Sequence, residues 1–532
     1  MNTTRLKPVV TKGLFLFGLI LVGLFFRIPQ IDYGLPAARH PDAIYLTSQA
    51  SRMSDNWRKG ELDLNPGSYY YPGFQITLLA LSNLVLPKQL SIPAKSRLFC
   101  VVASLATILV GFGCGLLLGG TFIGIGTGVF LTVGYLFVHQ GRWPTVDALQ
   151  LLLLALSLLF LIQPLKKKWL GIVLSGIFAG MAMGTKYTAI IFLFPISVIV
   201  LSQPFQFDRN RFFYNVSLWL GALLLGFFLS APTFFFQFQE FFDHLLLQKE
   251  IQAQGSIAFH PPSFLGYIYS LKSDIKEMPF GGDLRGQMGW PFAIMGFIGI
   301  VVALKKGISN RNGFLLGLSL SAILSYLFFS LAPKVHNIQY LLPWVFIVCL
   351  LVSDFIWDLG QKMSQVGKQK WSISIDKRLM ATLLLALVSL PMLNKDLAYL
   401  KYLRTPDSRL MAAHWILKNV PPKDKILNLM YGPSLPKNRY EMIQWIFPEY
   451  ISHLNKGSFA VPSYKRLKKE NINWVIWNTY YTNRFFGFQE KYDTHPYFQA
   501  WKVFYADLGE KASARHHIPG IMSPNIEIFE IK

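Results

Sequence analysis

The strongest constraint on what this chain can fold into is a series of long apolar runs without a charged side chain, of which residues 98–138 form the longest. In hydrocarbon every backbone N–H and C=O must find an internal partner, so runs of this kind become helices. About 20 apolar residues are enough to cross a bilayer core of roughly 30 Å. Apolar residues make up 52% of the 532, and charged residues only 15%, against about 25% in soluble domains. The chain therefore reads as a polytopic α-helical membrane protein. Twelve apolar stretches are visible: residues 13–26, 74–86, 98–118, 121–138, 149–162, 170–184, 189–201, 213–231, 291–304, 314–331, 341–356 and 379–393. The first has basic flanks (Arg5, Lys7, Lys12), but no small-x-small cleavage site closes it and Arg27-Ile28-Pro29 follows directly. A retained first helix is expected.

A net charge of +23 raises the question of nucleic acid. The placement of the charge answers it, because Lys and Arg collect in short loops between apolar runs, where they orient helices toward the cytoplasm. Four such loops stand out: Lys166-Lys167-Lys168, residues 208–211, residues 305–311 and residues 362–378. Nucleic acid is therefore not an expected partner. Alternation from these loops puts residues 30–71, 139–147, 232–290, 332–340 and everything after Asn394 outside the cytoplasm. An even number of crossings must then lie between Tyr71 and His139, where three apolar stretches occur. Residues 74–86 are the shortest of the three and are expected to be an incomplete span, leaving about eleven crossings. Cys100, Cys114 and Cys349 all lie inside apolar runs and read as small core hydrophobes, not as disulfides or metal ligands.

Residues 1–400 thus form a transmembrane domain with outer loops 30–71 and 232–290, and residues 401–532 a small soluble α/β domain outside the cytoplasm. Residues 404–421 have helical periodicity, with Asp407 or Ser408 as cap. Residues 425–429, 473–477, 501–505 and 526–531 read as strands. Outer loop 30–71, with Trp57 and three consecutive tyrosines, suggests short amphipathic helices on the bilayer surface. The periplasmic face of a bacterial cytoplasmic (inner) membrane is the expected setting.

No P-loop, Rossmann glycine fingerprint or His-Glu-x-x-His occurs. The residues that can carry chemistry lie at the outer surface. Asp42, in His40-Pro41-Asp42-Ala43, follows the first helix and can act as general base or metal ligand at the water–lipid boundary; equally, it can cap the next helix. Asp147 opens a long apolar helix, where it is either paired and functional or simply complements the helix dipole. His139 and Arg142 nearby suit an ion pair or an anion site. Lys186, in Gly184-Thr185-Lys186-Tyr187, is an outer cation that the positive-inside rule does not explain; it suits a lipid-linked phosphate, or it snorkels at a helix end. Lys334, His336 and Tyr340 form a similar outer cluster.

In their order along the chain these elements resemble the GT-C superfamily of membrane glycosyltransferases. The branches most alike are the protein O-mannosyltransferases (glycosyltransferase family 39), the aminoarabinose transferases of lipid A and the lipopolysaccharide-core transferases. The resemblance is carried by a first helix ending in Arg27 and Pro29, by His40-Pro41-Asp42, and by Tyr71-Pro72 at a helix entry. Arg142 with Asp147, the Gly176, Gly180, Gly184-Thr-Lys186-Tyr187 element, Tyr340 to Pro343, and an outer helix with Asp407, Arg409, Ala412 and Trp415 complete it. It implies transfer of a sugar from a polyprenyl-phosphate donor to a lipid, glycan or protein acceptor of the cell envelope, usually with inversion. In such a mechanism Asp42 would deprotonate the acceptor, and Asp147 would orient it or support a cation. Lys186 or Arg142 would stabilise the departing phosphate, with His139 and Lys334 as further donor-phosphate candidates. His40, Tyr69, Tyr70, Tyr71, His336 and Tyr340 would contact substrate.

Two departures matter. Many relatives carry a second acidic residue after the loop aspartate, and here it is Ala43; that argues against a two-carboxylate or metal-dependent mechanism and spares a single-base one. No cofactor is required on this reading, and a divalent metal is left open. The aminoarabinose branch carries Glu-Lys before its helix entry, where this chain has Tyr69-Tyr70-Tyr71-Pro72-Gly73, which favours a hexose or related sugar. Two other classes compete. A flippase of lipid-linked saccharides predicts cations along the helix interiors and inverted repeats, neither of which is visible. A non-catalytic assembly protein predicts that Asp42→Asn changes nothing.

Overall fold

The protein is described from a computed structural model, covering residues 3–35, 41–202, 208–254, 284–332, 338–371, 376–429, 431–443, 462–479, 496–520 and 523–531. The helices of the first part are α1 (Thr3–Arg27), α2 (Pro41–Arg58), α3 (Phe74–Val85), α4 (Ile92–Gly119), α5 (Thr121–Val133), α6 (Tyr135–Gln140), α7 (Asp147–Ile162), α8 (Lys168–Thr185), α9 (Ala189–Ser202) and α10 (Arg209–Ser230). There follow α11 (Thr233–Phe236), α12 (Phe238–Gln254), α13 (Leu284–Met288), α14 (Trp290–Ser309), α15 (Gly313–Leu331), α16 (Leu342–Trp371) and α17 (Lys377–Tyr402). A 3-10 turn, Ile338–Leu341, leads into α16.

Among the described residues seven helices are long and apolar enough to cross a membrane: α4, α8, α10, α14, α15, α16 with its leading turn, and α17. Helices α3, α5, α7 and α9 are shorter and apolar. The shortest is α3, whose 12 residues reach about 18 Å, well short of the hydrocarbon core. Its buried face, Ile76, Leu79 and Ala80, packs on Leu46, Ala50 and Met53 of α2. Loop 30–71 thus folds its helix α2 onto α3. By contrast α5 breaks at Gly134 and resumes as α6, so that residues 121–140 together reach spanning length. With α3 set aside, the apolar helices α1, α4, α5–α6, α7, α8, α9, α10, α14, α15, α16 and α17 are those that the expectation of about eleven crossings requires.

Close packing of α8 on α10 sets the geometry beneath the site. Gly176 and Gly180 lie against the α10 backbone, where a Cβ would meet the carbonyls of Trp219 and Leu223. Small residues spaced four apart let two helices approach without intervening side chains. α16 runs through the middle of the helices, and its residues from Trp344 to Val352 are fully buried. Cys100, Cys114 and Cys349 are buried free thiols.

The C-terminal part begins with α18 (Ser408–Asn419), capped by Asp407, whose side chain accepts from the Arg409 amide. Strands β1 (Lys425–Asn428), β2 (Glu441–Ile443), β3 (Trp474–Asn478), β4 (Ala514–Ile518) and β5 (Ile526–Glu530) form one sheet in the order β2-β1-β3-β5-β4. β1 is parallel to β2 and β3, whereas β5 is antiparallel to β3 and β4. Helices Tyr464–Lys469 and Pro496–Lys511 pack on it. Residues 501–505, read from sequence as a strand, lie inside that second helix. Trp501, Phe504 and Leu508 are buried while Val503 is 59% exposed, a spacing of three and four that only a helix satisfies. β2 and β4 had no apolar alternation to announce them.

Candidate functional site

A charged cluster sits where the start of α7 and the end of α8 meet residues 41–71 and the turn before α16. α8 stops at Thr185, and Lys186 follows in extended conformation with its N–H still donating to Ala182. Its Nζ lies 2.8 Å from Oδ1 of Asp147 in the first turn of α7. Both side chains are nearly water-free, 10% and 1% exposed. The Asp147 carboxylate also faces the positive end of the α7 dipole. The ammonium further lies 4.8 Å from the centre of the Tyr340 ring, a cation–π arrangement. Gln150, one turn along α7, donates to the Lys186 carbonyl at 3.4 Å and to Thr188 Oγ1 at 3.2 Å.

Asp42, in the first turn of α2, completes the cluster. The Tyr71 hydroxyl hydrogen-bonds to Asp42, and burial together with the negative charges of Asp42 and Asp147 pushes that phenol well above its ordinary pKa. Burial by itself lowers the Lys186 ammonium, but Asp147, Tyr340 and Asp42 outweigh it and hold the group above the ordinary lysine value. Chemically the two carboxylates differ. Asp147 is already neutralised by an ammonium, while Asp42 is half-buried and meets a phenol.

The three tyrosines of residues 69–71 divide their tasks. Tyr69 is buried; its hydroxyl donates to Gln237 at 2.7 Å and its carbonyl accepts from Tyr187 at 3.1 Å. Tyr71 turns to Asp42. Tyr70 is 39% exposed, with its ring 5.5 Å from His244 of α12, and is the one with a face open to a ligand.

The structure therefore brings together Asp42, Asp147, Lys186, Tyr71 and Tyr340. It does not bring Arg142 or His139 to them. Arg142 donates to the carbonyls of Phe26, Pro29 and Gln30 at the C-terminal end of α1, where helix carbonyls lack partners. His139 accepts from the Trp143 indole at 3.2 Å and packs against Tyr135 and Tyr399. In the structure both side chains are thus engaged by protein groups. His40, Lys334 and His336 lie outside the described residues. Sequence reasoning gave no role to Gln150 and Arg97. A signal existed for Arg97, which, like Lys186, is a cation at the end of an apolar run. Among the described residues no three histidine, cysteine or carboxylate side chains are grouped to hold a metal ion.

The fold is shared with solved structures of an ArnT and of an archaeal oligosaccharyltransferase. Residues 92–236 match the Dolichyl-phosphate-mannose-protein mannosyltransferase family, a stretch that includes Asp147 and Lys186. The chain is similar to ArnT from Cupriavidus metallidurans in the apo state, with 13% identity over 99% of this chain and 98% of that one and a TM-score of 0.56. The same protein bound to undecaprenyl phosphate superposes with 14% identity, 98% coverage of both chains and a TM-score of 0.53. The archaeal oligosaccharyltransferase AglB from Archaeoglobus fulgidus, in complex with an inhibitory peptide and a dolichol-phosphate, aligns over 95% of this chain and 72% of its own, with 12% identity and a TM-score of 0.57. Among curated proteins, none matches the chain by sequence.

Proposed function

We propose that this protein transfers a sugar, a hexose or a related pentose, from a polyprenyl-phosphate donor to a lipid, glycan or protein acceptor. The reaction takes place at the outer face of a bacterial cytoplasmic membrane, where the C-terminal domain also lies. The observation that carries the reading is a half-buried carboxylate, Asp42, in the same charged cluster as a buried ammonium, Lys186, on a GT-C fold. Asp42 accepts the proton of the acceptor hydroxyl. The hydroxyl oxygen then bonds to the anomeric carbon as the carbon–oxygen bond to phosphate breaks. The released polyprenyl phosphate carries the negative charge that Lys186 stabilises. Asp147 holds Lys186 in place, and Tyr71 orients Asp42. The ArnT and AglB structures with bound polyprenyl phosphates support this class of donor. The basic loops at the opposite ends of the helices support the orientation.

Purified protein incubated with a panel of undecaprenyl-phosphate hexoses and pentoses, together with lipid, glycan and peptide acceptors, is expected to release undecaprenyl phosphate. Asp42→Asn should slow that release by about 10²–10⁴-fold. No release with any donor overturns the reading.

A further inference from the structure

Residues 28–35, which follow α1 on the way to Asp42, have little regular structure of their own. After α1 the chain turns twice, with Tyr33 N–H donating to Gln30 and Leu35 N–H to Asp32. Two residues adopt left-handed backbone, Gln30 at φ 49° and Gly34 at φ 72°. A non-glycine residue in that region persists only when its surroundings hold it there.

The surroundings are arginines from three distant parts of the sequence. Arg142, between α6 and α7, donates to the carbonyls of Phe26 (3.0 Å), Pro29 and Gln30 (3.0 Å). Arg97, near the start of α4, donates to those of Ile31 (2.6 Å) and Tyr33 (2.9 Å), with its guanidinium 4.6 Å from the Trp143 ring. Gly34 lies against the ion pair of Asp407 and Arg409, 2.6 Å long and buried. A Cβ on Gly34 would come within 2.6 Å of the Asp407 carboxylate and 3.0 Å of the Arg409 guanidinium. Arg97, Arg142 and Arg409 are each at most 4% exposed, so these forks are not free to meet a ligand.

We propose that Arg97 and Arg142 are positioning residues that hold residues 26–34 so that the chain delivers Asp42 to Tyr71, while the Asp407–Arg409 pair latches the same segment to the C-terminal domain. The proposal rests on Asp42 being the base. It gives the C-terminal domain a part in the reaction, because a shift of α18 is felt at Gly34, eight residues before Asp42 in the chain. A guanidinium suits the task because its planar fork reaches several carbonyls at once, which an ammonium cannot do.

The test uses the full chain with Arg97→Lys, Arg142→Lys and Gly34→Ala. The first two keep the charge and remove the fork; the third leaves every charge in place and displaces the latch. Three quantities are read: kcat and KM for the undecaprenyl-phosphate sugar that gives turnover, binding of undecaprenyl phosphate alone, and amide hydrogen exchange over residues 28–35. The expected result is faster exchange and a kcat reduced by about 10- to 100-fold, the scale of a misplacement near 1 Å, with donor KM and phosphate binding unchanged. Raised KM and weakened phosphate binding with unchanged exchange would show that Arg142 holds the phosphate itself, which overturns the proposal. Unchanged exchange with unchanged kcat overturns it as well. Full activity in Asp42→Asn refutes the base assignment separately, and the exchange measurement still decides whether the arginines hold the segment.

Discussion

Removing either member of the Lys186–Asp147 pair should destabilise the protein far more than removing both. At the observed 2.8 Å the attraction between unit charges is about 6 kcal/mol at an effective dielectric of about 20. Burying the two ions costs several kcal/mol each, so the intact pair contributes little net stability. Asp147→Leu alone leaves a buried ammonium, and Lys186→Met alone a buried carboxylate; each should cost about 3–5 kcal/mol. The double variant should recover most of that loss, giving a coupling energy well outside the few tenths of a kcal/mol expected of independent sites. Unfolding of the purified protein in detergent, followed by loss of the monodisperse species with denaturant, measures all four corners of the cycle. The double variant should also be folded and inactive, which separates the structural role of the pair from the contribution of Lys186 to leaving-group stabilisation. Additive single losses below about 1 kcal/mol, the range of exposed pairs, would refute the reasoning. The sign with pH follows from the raised lysine value. Its contribution is fully present below the ordinary 10.5 and is lost only as pH rises through the higher folded value, so the pair should hold unchanged across neutral pH.

Two further outcomes follow from particular contacts. Tyr71→Phe removes the hydrogen bond to Asp42 and should lower kcat by about tenfold, equivalent to ~1.4 kcal/mol, with the unfolding midpoint nearly unchanged; a kcat equal to that of the parent protein would remove Tyr71 from the mechanism. In the C-terminal domain, Trp501→Ala should cost about 3–5 kcal/mol and Val503→Ala less than about 0.5. Protease susceptibility of that domain in the full chain reads both, and equal sensitivity at the two positions would mean that they share a strand face.

The helical membrane class and the apolar runs that become helices were legible in the sequence for a definite reason. An apolar run has no stable state in lipid other than a helix, and basic loops orient it, so each span is decided locally. The parity between Tyr71 and His139 singled out residues 74–86, and the 12 residues of α3 are too few to span. Asp42, Asp147 and Lys186 were identifiable because a charge at the end of an apolar run needs a partner. What local pattern could not decide was which partner. Arg142 and Lys186 look alike in sequence, both cations at outer helix ends. Only the folded chain shows one guanidinium closed over carbonyls of α1 more than 100 residues away and one ammonium held on Asp147. The same limit explains Trp501, whose alternate neighbours suit a strand until the core reveals a spacing of three and four. Apolar patterning is set by the solvent each residue meets and is written along the chain. The pairing of buried charges is set by which distant backbone ends they neutralise, and that appears only when the helices have packed.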